Sequence, residues 1–368
     1  MRILYTGADG YIGAVLGPKL LGCGHAATGI DTGLYRRGWL FDDRRTRPMV
    51  ITRDVRQIKQ SDLVGFDAVV HLAELSNDPL GENDPEITME INHRGSVEFA
   101  KKCRAAGVSR FIYASSCSIY GAAGSEMKTE TSAFNPQTAY ARCKVLVERD
   151  LTAMIDSRFT PVFLRNATAF GASPRQRFDL VLNNLAGVAY TTKQIRVMSD
   201  GTPCRPLVHI DDICQAILCA LEAPREAVCG EAFNVGDDAQ NYIVREIAEV
   251  VNRTFPGCEI TYGSSGGDNR SYRVSFEKIR QHMPGFMCQW SAERGAQQLK
   301  TVFDRIQLDE AMFNAAPFTR LSELRHLRET QQLDPQLLWT PIDDMVPLLT
   351  PATLPRATIF NGAPITAH

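Results

Sequence analysis

Five short apolar runs, Ile3–Thr6, Ala27–Ile30, Ala68–Leu72, Phe111–Ala114 and Val162–Arg165, alternate with longer segments of helical spacing at Ile12–Leu21, Ile91–Ala106 and Tyr140–Ile155. Short β-rich runs of this kind bury both faces when they lie side by side, and amphipathic helices between them supply the covering layers. The pattern predicts an α/β fold, a Rossmann-type doubly wound parallel sheet with right-handed crossovers. After about residue 170 the alternation loosens. Residues 172–178 read as a polar connection, and helical patterns follow at Leu180–Tyr190, from Ile210 with Asp211 as a cap, and at Arg245–Phe255. These predict a smaller mixed α/β lobe.

Composition narrows the partners. A chain of 368 residues with 44% hydrophobic residues and a formal net charge of −2 has the material for a large core and no charge excess for a polyanion or a membrane surface. No apolar run reaches bilayer-spanning length, and a strand from residue 3 leaves no room for a leader. The ten cysteines form no C-x-x-C pair. They read as reduced thiols of a cytoplasmic protein, with no metal site expected.

The stretch Thr6-Gly-Ala-Asp-Gly-Tyr-Ile-Gly13 stands directly behind the first run. Gly7 permits a tight strand-to-helix turn, Gly10 lets backbone approach a pyrophosphate, and Gly13 lets the following helix pack closely. The helix start then offers unpaired N–H groups and partial positive charge to phosphates. A glycine loop can also do no more than end a strand. Asp31 shifts the balance, because a carboxylate at the end of the second strand binds ribose hydroxyls and repels a 2′-phosphate. NAD is therefore the expected cofactor, although Arg36 and Arg37 weigh the other way. Asp54 and Val55 end the next apolar stretch and are candidates to border the adenine.

Tyr140 and Lys144 are spaced i, i+4 and share a helix face. An ammonium beside a tyrosine hydroxyl lowers a pKa that is ordinarily near ~10. The stretch Tyr113-Ala-Ser-Ser-Cys-Ser-Ile-Tyr-Gly121 puts Ser115, Ser116 and Ser118 at the C-terminal end of a strand, the edge where parallel sheets bind ligands. A serine there can hold a substrate hydroxyl for Tyr140; a serine-rich turn can also simply bond its own backbone.

With these residues in view, the sequence resembles the extended short-chain dehydrogenase/reductase family, in its NAD-dependent nucleotide-sugar epimerase/dehydratase branch. The matching stretches are TGADGYIG (6–13), HLA (71–73), INHRGS (91–96), YASSCSIYG (113–121), YARCK (140–144), CRPLVHIDDI (204–213) and FNVG (233–236). The resemblance implies an NAD-binding Rossmann domain over 1–170, with later strands from about 205–240. A substrate-binding lobe over 171–330 would interleave with it, followed by an extended tail over 331–368. It implies Ser116, Tyr140 and Lys144 as catalytic residues. It places Gly7, Gly10, Tyr11, Ile12, Gly13, Asp31, Asp54, Val55, Leu72, Ala73, Asn92, Tyr140 and Lys144 around the cofactor. Arg205 and Arg270 would meet the diphosphate of a nucleoside-diphosphate sugar, with Ser76, Asn77, Ser116 and Cys117 lining the sugar. Members of the family often form homodimers through the helix that carries the tyrosine.

Two departures matter. Dehydratases of the family carry Asp-Glu after the catalytic Ser/Thr, where this chain has Cys117-Ser118, so a 4,6-dehydratase is disfavoured. Cys117 is then either a thiol acid/base or a packed residue. Glu74 follows HLA where a small residue is usual, and with Ser76 and Asn77 it is expected to shape the substrate pocket. The expected activity is epimerisation of a nucleotide sugar by transient oxidation at C4. The alternatives are a nucleotide-sugar 4-ketoreductase, dehydrogenase or decarboxylase, or a non-catalytic dinucleotide sensor. His71 and His209 are expected to pack locally, not to bind metal.

Overall fold

A computed structural model of the chain describes residues 1–76, 84–264 and 271–340. Seven strands form the central sheet: β1 (Arg2–Thr6), β2 (Ala26–Asp31), β3 (Met49–Thr52), β4 (Ala68–His71), β5 (Arg110–Ser116), β6 (Thr160–Asn166) and β7 (Ala232–Val235). Their order is β7-β6-β5-β4-β1-β2-β3, and every neighbouring pair is parallel. The order reverses at β1, between β4 and β2. Such a reversal opens a crevice at the C-terminal strand ends, and the ligand site of this fold lies there. The five predicted runs are β1, β2, β4, β5 and β6. Strand β3 was not among them, because Met49, Ile51 and Thr52 are exposed at the sheet edge and give no buried pattern.

Alternation along the strands fills two cores. Ile3, Tyr5, Val70, Ile112, Val162 and Leu164 point to one face, where helices Gly13–Gly22 and Ile210–Glu222 bring Leu16, Leu20, Ile213 and Ile217. Leu4, Val69, Phe111, Tyr113 and Phe163 point to the other, against Phe99 and Cys103 of helix Ser96–Ala105 and Val147 and Leu151 of helix Ala139–Thr152. A strand with both faces buried has no polar alternation to show, so these strands read as continuous apolar runs. A third core gathers Leu182, Leu185, Ile247, Val251, Leu299 and Phe303 from helices Val181–Thr192, Val244–Thr254 and Ala292–Ile306, with Phe178 from the preceding connection.

The helix from Ile210 is capped differently from the expectation. His209 Nδ1 accepts the Asp211 N–H at 3.1 Å. Asp211 lies inside the first turn and pairs with Lys19 of the first helix at 3.0 Å. Among the described residues, no helix is long and apolar enough to cross a membrane. By its contacts the chain divides into Met1–His326 and Leu327–His368. In the second unit, Leu333 and Trp339 pair in an antiparallel bridge, and the Asp334 carboxylate accepts N–H groups of Gln336 and Leu338 at 2.8 and 2.9 Å. This part of the expected extended tail therefore turns back on itself; residues 341–368 lie outside the described residues.

Candidate active site

The glycine turn leaves β1 at the sheet's reversal point. Gly7 has φ +67°, and a Cβ there would meet the Leu72–Ala73 backbone at 3.0 Å. A Cβ on Gly10 would lie 2.9 Å from the Gly7 carbonyl oxygen, and one on Gly13 only 2.1 Å from the same atom. The three glycines thus let three backbone segments converge, and helix Gly13–Gly22 starts directly behind them. Asp31, at the end of β2, accepts the Asp9 N–H at 3.0 Å and the Gly33 N–H at 2.7 Å. Its carboxylate therefore borders the turn from the next strand. Arg37 is held by Glu323 at 3.0 Å, and Arg36 donates to Thr52 at 3.1 Å.

Behind β1, Thr6 and His71 pin the second wall. Thr6 Oγ1 accepts the N–H groups of Leu72 and Ala73, each at 3.1 Å, and lies 2.8 Å from His71 Nδ1. Its remaining proton goes to Nδ1, which leaves Nε2–H to donate to Ser96 Oγ at 2.8 Å. Burial lowers the His71 pKa to about 3, with the Lys144 charge adding in the same direction. His71 is neutral and structural.

Asn92 lies in a π-helical turn, Met89–Gly95, and is fully buried. Its amide accepts the Leu75 N–H at 2.8 Å and donates to the Leu75 carbonyl at 3.0 Å. Asn92 therefore shapes the 72–76 loop through backbone bonds. Asp54 caps the turn Val55–Gln57 and is held by Arg56 at 2.8–2.9 Å, while Val55 packs into a core. Asn77 and Arg270 lie outside the described residues. Arg205 lies on strand Cys204–His209 and donates to the Cys204 carbonyl at 2.8 Å.

Thr138 starts the helix that carries the tyrosine, its side chain accepting the Ala141 N–H at 3.2 Å. Tyr140 thus falls in the first turn and Lys144 one turn later. Lys144 Nζ donates to the Ala114 carbonyl of β5 and lies 4.7 and 5.1 Å from the ring centres of Tyr113 and Tyr140. The lysine thereby joins the tyrosine's helix to the strand that ends in Ser115 and Ser116. Strand alternation separates these serines. Ser115 is buried and donates to Glu148 at 2.5 Å, whereas Ser116 is partly exposed and its Oγ accepts the Ser118 N–H at 3.2 Å.

Cys117 sits in the core, fully buried, with Sγ donating to the Arg165 carbonyl at 3.1 Å. Burial pushes its pKa well above the ordinary thiol value. The thiol keeps its proton, and its full burial and its bond to the Arg165 carbonyl are those of a packed residue.

Glu74 has a place that its position after HLA did not announce. It ion-pairs with Lys144, the two side chains being only 3% and 4% exposed, and accepts the Tyr113 hydroxyl at 2.6 Å. Burial would lower the Lys144 pKa, but Glu74 together with Tyr140 carries it above its ordinary value, while burial raises the Glu74 pKa against the pull of Lys144. The lysine remains an ammonium. Three further residues escaped the sequence reading. Arg165 and Glu148 form a buried pair at 2.6 Å beneath the serines. Arg177 binds Asp179 at 2.7 Å, reaches Ser76 Oγ at 3.3 Å and lies within electrostatic range of Tyr140. The only signal for it was a pair of arginines in the polar connection after residue 172.

A parallel sheet in this order, with a glycine turn and the Asp31 carboxylate at its reversal point, defines a protein of Rossmann type. The model of the NAD dependent epimerase/dehydratase family matches residues 3–236, and this chain belongs to that family. A UDP-glucose 4-epimerase of Mycolicibacterium smegmatis is 29% identical over 256 residues, covering 64% of this chain and 77% of that protein. Among solved structures, the UDP-glucuronic acid 4-epimerase of Bacillus cereus superposes with a TM-score of 0.71 at 23% identity, over 83% of this chain and 99% of that one. The dTDP-glucose 4,6-dehydratase of Streptomyces venezuelae gives a TM-score of 0.73 at 22% identity, over 83% and 97%. These two likenesses show the fold.

Proposed function

We propose that this protein is an NAD-dependent epimerase that inverts C4 of a nucleoside-diphosphate sugar. One observation carries the reading: Lys144 bonds to the end of β5 beside Ser116 while lying against the Tyr140 ring, at the sheet edge that also bears the glycine turn. NAD, when bound, supplies a hydride acceptor that returns the hydride within the same turnover. Gly7, Gly10, Gly13 and the N–H groups behind them would hold its diphosphate, and Asp31 its adenosine ribose. The close approaches at the three glycines suit that group, since a Cβ at any of them would strike the backbone of the turn or of Leu72–Ala73 and displace the N–H groups that line it.

Ser116 holds the sugar hydroxyl, and Tyr140 takes its proton and gives it back after the sugar has presented its other face. The Lys144 ammonium favours the phenolate that this transfer needs. Arg205 meets the sugar nucleotide's diphosphate, for which a planar, bidentate donor is suited. Residues 1–170 with the later strands serve the cofactor, and the 171–330 lobe serves the sugar. Ten free cysteines suit a reducing, cytoplasmic setting, and pairing through the helix of Tyr140 would give a homodimer. UDP-glucose and UDP-glucuronate 4-epimerases among the relatives support the reaction class, and the absence of an acid pair at Cys117-Ser118 weighs against dehydration.

The test is incubation of the purified protein with UDP-, dTDP-, GDP- and CDP-sugars, with products read by NMR and bound dinucleotide by mass. The expected result is a C4 epimer with no net NADH. Stoichiometric NADH would overturn epimerisation in favour of a net oxidoreductase, and no reaction with any sugar nucleotide would remove the substrate class.

A further inference from the structure

The segment that follows β6 returns across the glycine turn and is stitched to it. Tyr11 Oη donates to the Gly171 carbonyl at 2.7 Å, Ser173 Oγ donates to the Tyr11 carbonyl at 2.8 Å, and Arg175 Nε donates to the Asp9 carbonyl at 2.7 Å. Arg175 is only 2% exposed, and both of its terminal nitrogens, Nη1 and Nη2, are buried without a hydrogen-bond partner. Its guanidinium lies 5.3 Å from the Trp39 ring centre. Asp9, Asp31 and Glu323 act on it at longer range, and Arg320 opposes its charge. Two unpaired donors on one buried cation are costly, and proteins keep such an arrangement where an anion completes it.

We propose that Arg175 is a ligand of the dinucleotide diphosphate, closing the site beside the glycine turn that holds its Nε. The inference rests on the family's cofactor and is independent of which sugar reacts. Helix Gly13–Gly22 offers N–H groups and partial positive charge from one side. The guanidinium offers two parallel donors at the far end of a side chain whose Nε is already fixed on the turn itself. A planar fork of that kind matches adjacent phosphate oxygens. Because Arg175 comes from the connection toward the third core, the dinucleotide leaves only when this connection parts from the turn. A cofactor that is regenerated in every turnover is thereby retained.

The test uses protein stripped of dinucleotide and the variants Arg175→Met and Arg175→Lys. Calorimetric titration is run with NAD⁺, ADP and adenosine, alongside thermal unfolding with and without NAD⁺. Arg175→Met is expected to weaken NAD⁺ and ADP by roughly 10- to 100-fold and to leave adenosine unchanged, since charge-assisted bonds to phosphate are lost. Without NAD⁺ it should melt at or above the wild-type temperature, because an unpaired buried charge is gone; with NAD⁺ it should melt below. Arg175→Lys keeps the charge without the fork and should lose affinity for NAD⁺ and ADP to a smaller degree. Equal affinities for wild type and Arg175→Met would overturn the proposal, as would equal losses for all three ligands. A wild-type protein that binds no dinucleotide would remove the cofactor assignment itself, whereas binding that survives Arg175→Met removes the arginine's role alone.

Discussion

The Glu74 carboxylate is paired with the Lys144 ammonium, and water reaches neither to any extent. Removing one member of such a pair strands the other, and that loss is larger than the net worth of the pair. Glu74→Ala should therefore destabilise the fold by about 3–5 kcal/mol. The same change in a Lys144→Met background should cost less, with a coupling of about 1–3 kcal/mol. Urea unfolding of the four proteins measures this. Additive losses would show that the two charges do not depend on each other.

Replacement of Tyr140 by Phe removes one hydroxyl and leaves the ring that lies against Lys144. Loss of a general acid–base group ordinarily lowers turnover by about 10²–10⁴-fold. The expected outcome is a loss in that range with dinucleotide still bound, read by product NMR and by mass of the bound cofactor. Ser116→Ala should also reduce turnover, because the sugar hydroxyl loses the group that holds it. If both variants turn over at the wild-type rate, Tyr140 and Ser116 do not hold the roles proposed for them; only a wild-type protein without turnover would favour the non-catalytic reading.

His71 makes the fold sensitive to acid. Its pKa is lowered to about 3 by burial, against an ordinary value near 6.5. The unfolded chain therefore binds a proton that the folded chain refuses. Stability from this group is complete above about pH 6.5 and is lost as pH falls toward 3, by about 1.4 kcal/mol per pH unit within that window. His71→Gln should be less stable at pH 7 and should lack this part of the slope. Urea midpoints for both proteins between pH 4.5 and 7.5 test it; parallel slopes would contradict it.

Two glycines at opposite ends of one helix should respond in opposite ways. A Cβ on Gly13 would lie 2.1 Å from the Gly7 carbonyl oxygen, whereas one on Gly22 would meet nothing within 4 Å. Gly13→Ala should displace the turn and abolish dinucleotide binding. Gly22→Ala should stabilise by roughly 0.5–1 kcal/mol through helix propensity, with binding unchanged. Thermal unfolding and NAD⁺ titration of both variants separate the two effects.

The sheet was legible because its strands are buried on both faces and short, and the helices because their apolar positions repeat at helical spacing. Edge strand β3 was not, since three of its four residues contribute no buried pattern. The glycine turn, Asp31, Tyr140 and Lys144 were legible because each obeys a local spacing rule. Glu74 stood out as a departure but its partner did not, and Arg175 was visible only as a residue type. Glu74 reaches Lys144 across 70 positions, and Arg175 reaches Asp9 across 166. Such contacts follow from where the topology returns the chain, and no periodicity records them. The cap at Ile210 failed for a smaller reason: the imidazole at position 209 takes the capping place, and Asp211, whose N–H it accepts, falls inside the first turn.

Tyr11 belongs to the first strand-turn-helix unit, yet its hydroxyl and its carbonyl are both bonded by residues of the 171–173 connection. Strand β7 likewise arrives only in the second half of the chain, at Ala232–Val235. A fragment ending at residue 170 would keep the glycine turn, Asp31, Ser116, Tyr140 and Lys144, and would lose the groups that hold the turn in place. The segment up to residue 170 is thus not a cassette that could be cut out or exchanged between relatives at that boundary. A chimera would have to carry the 171–177 connection with it.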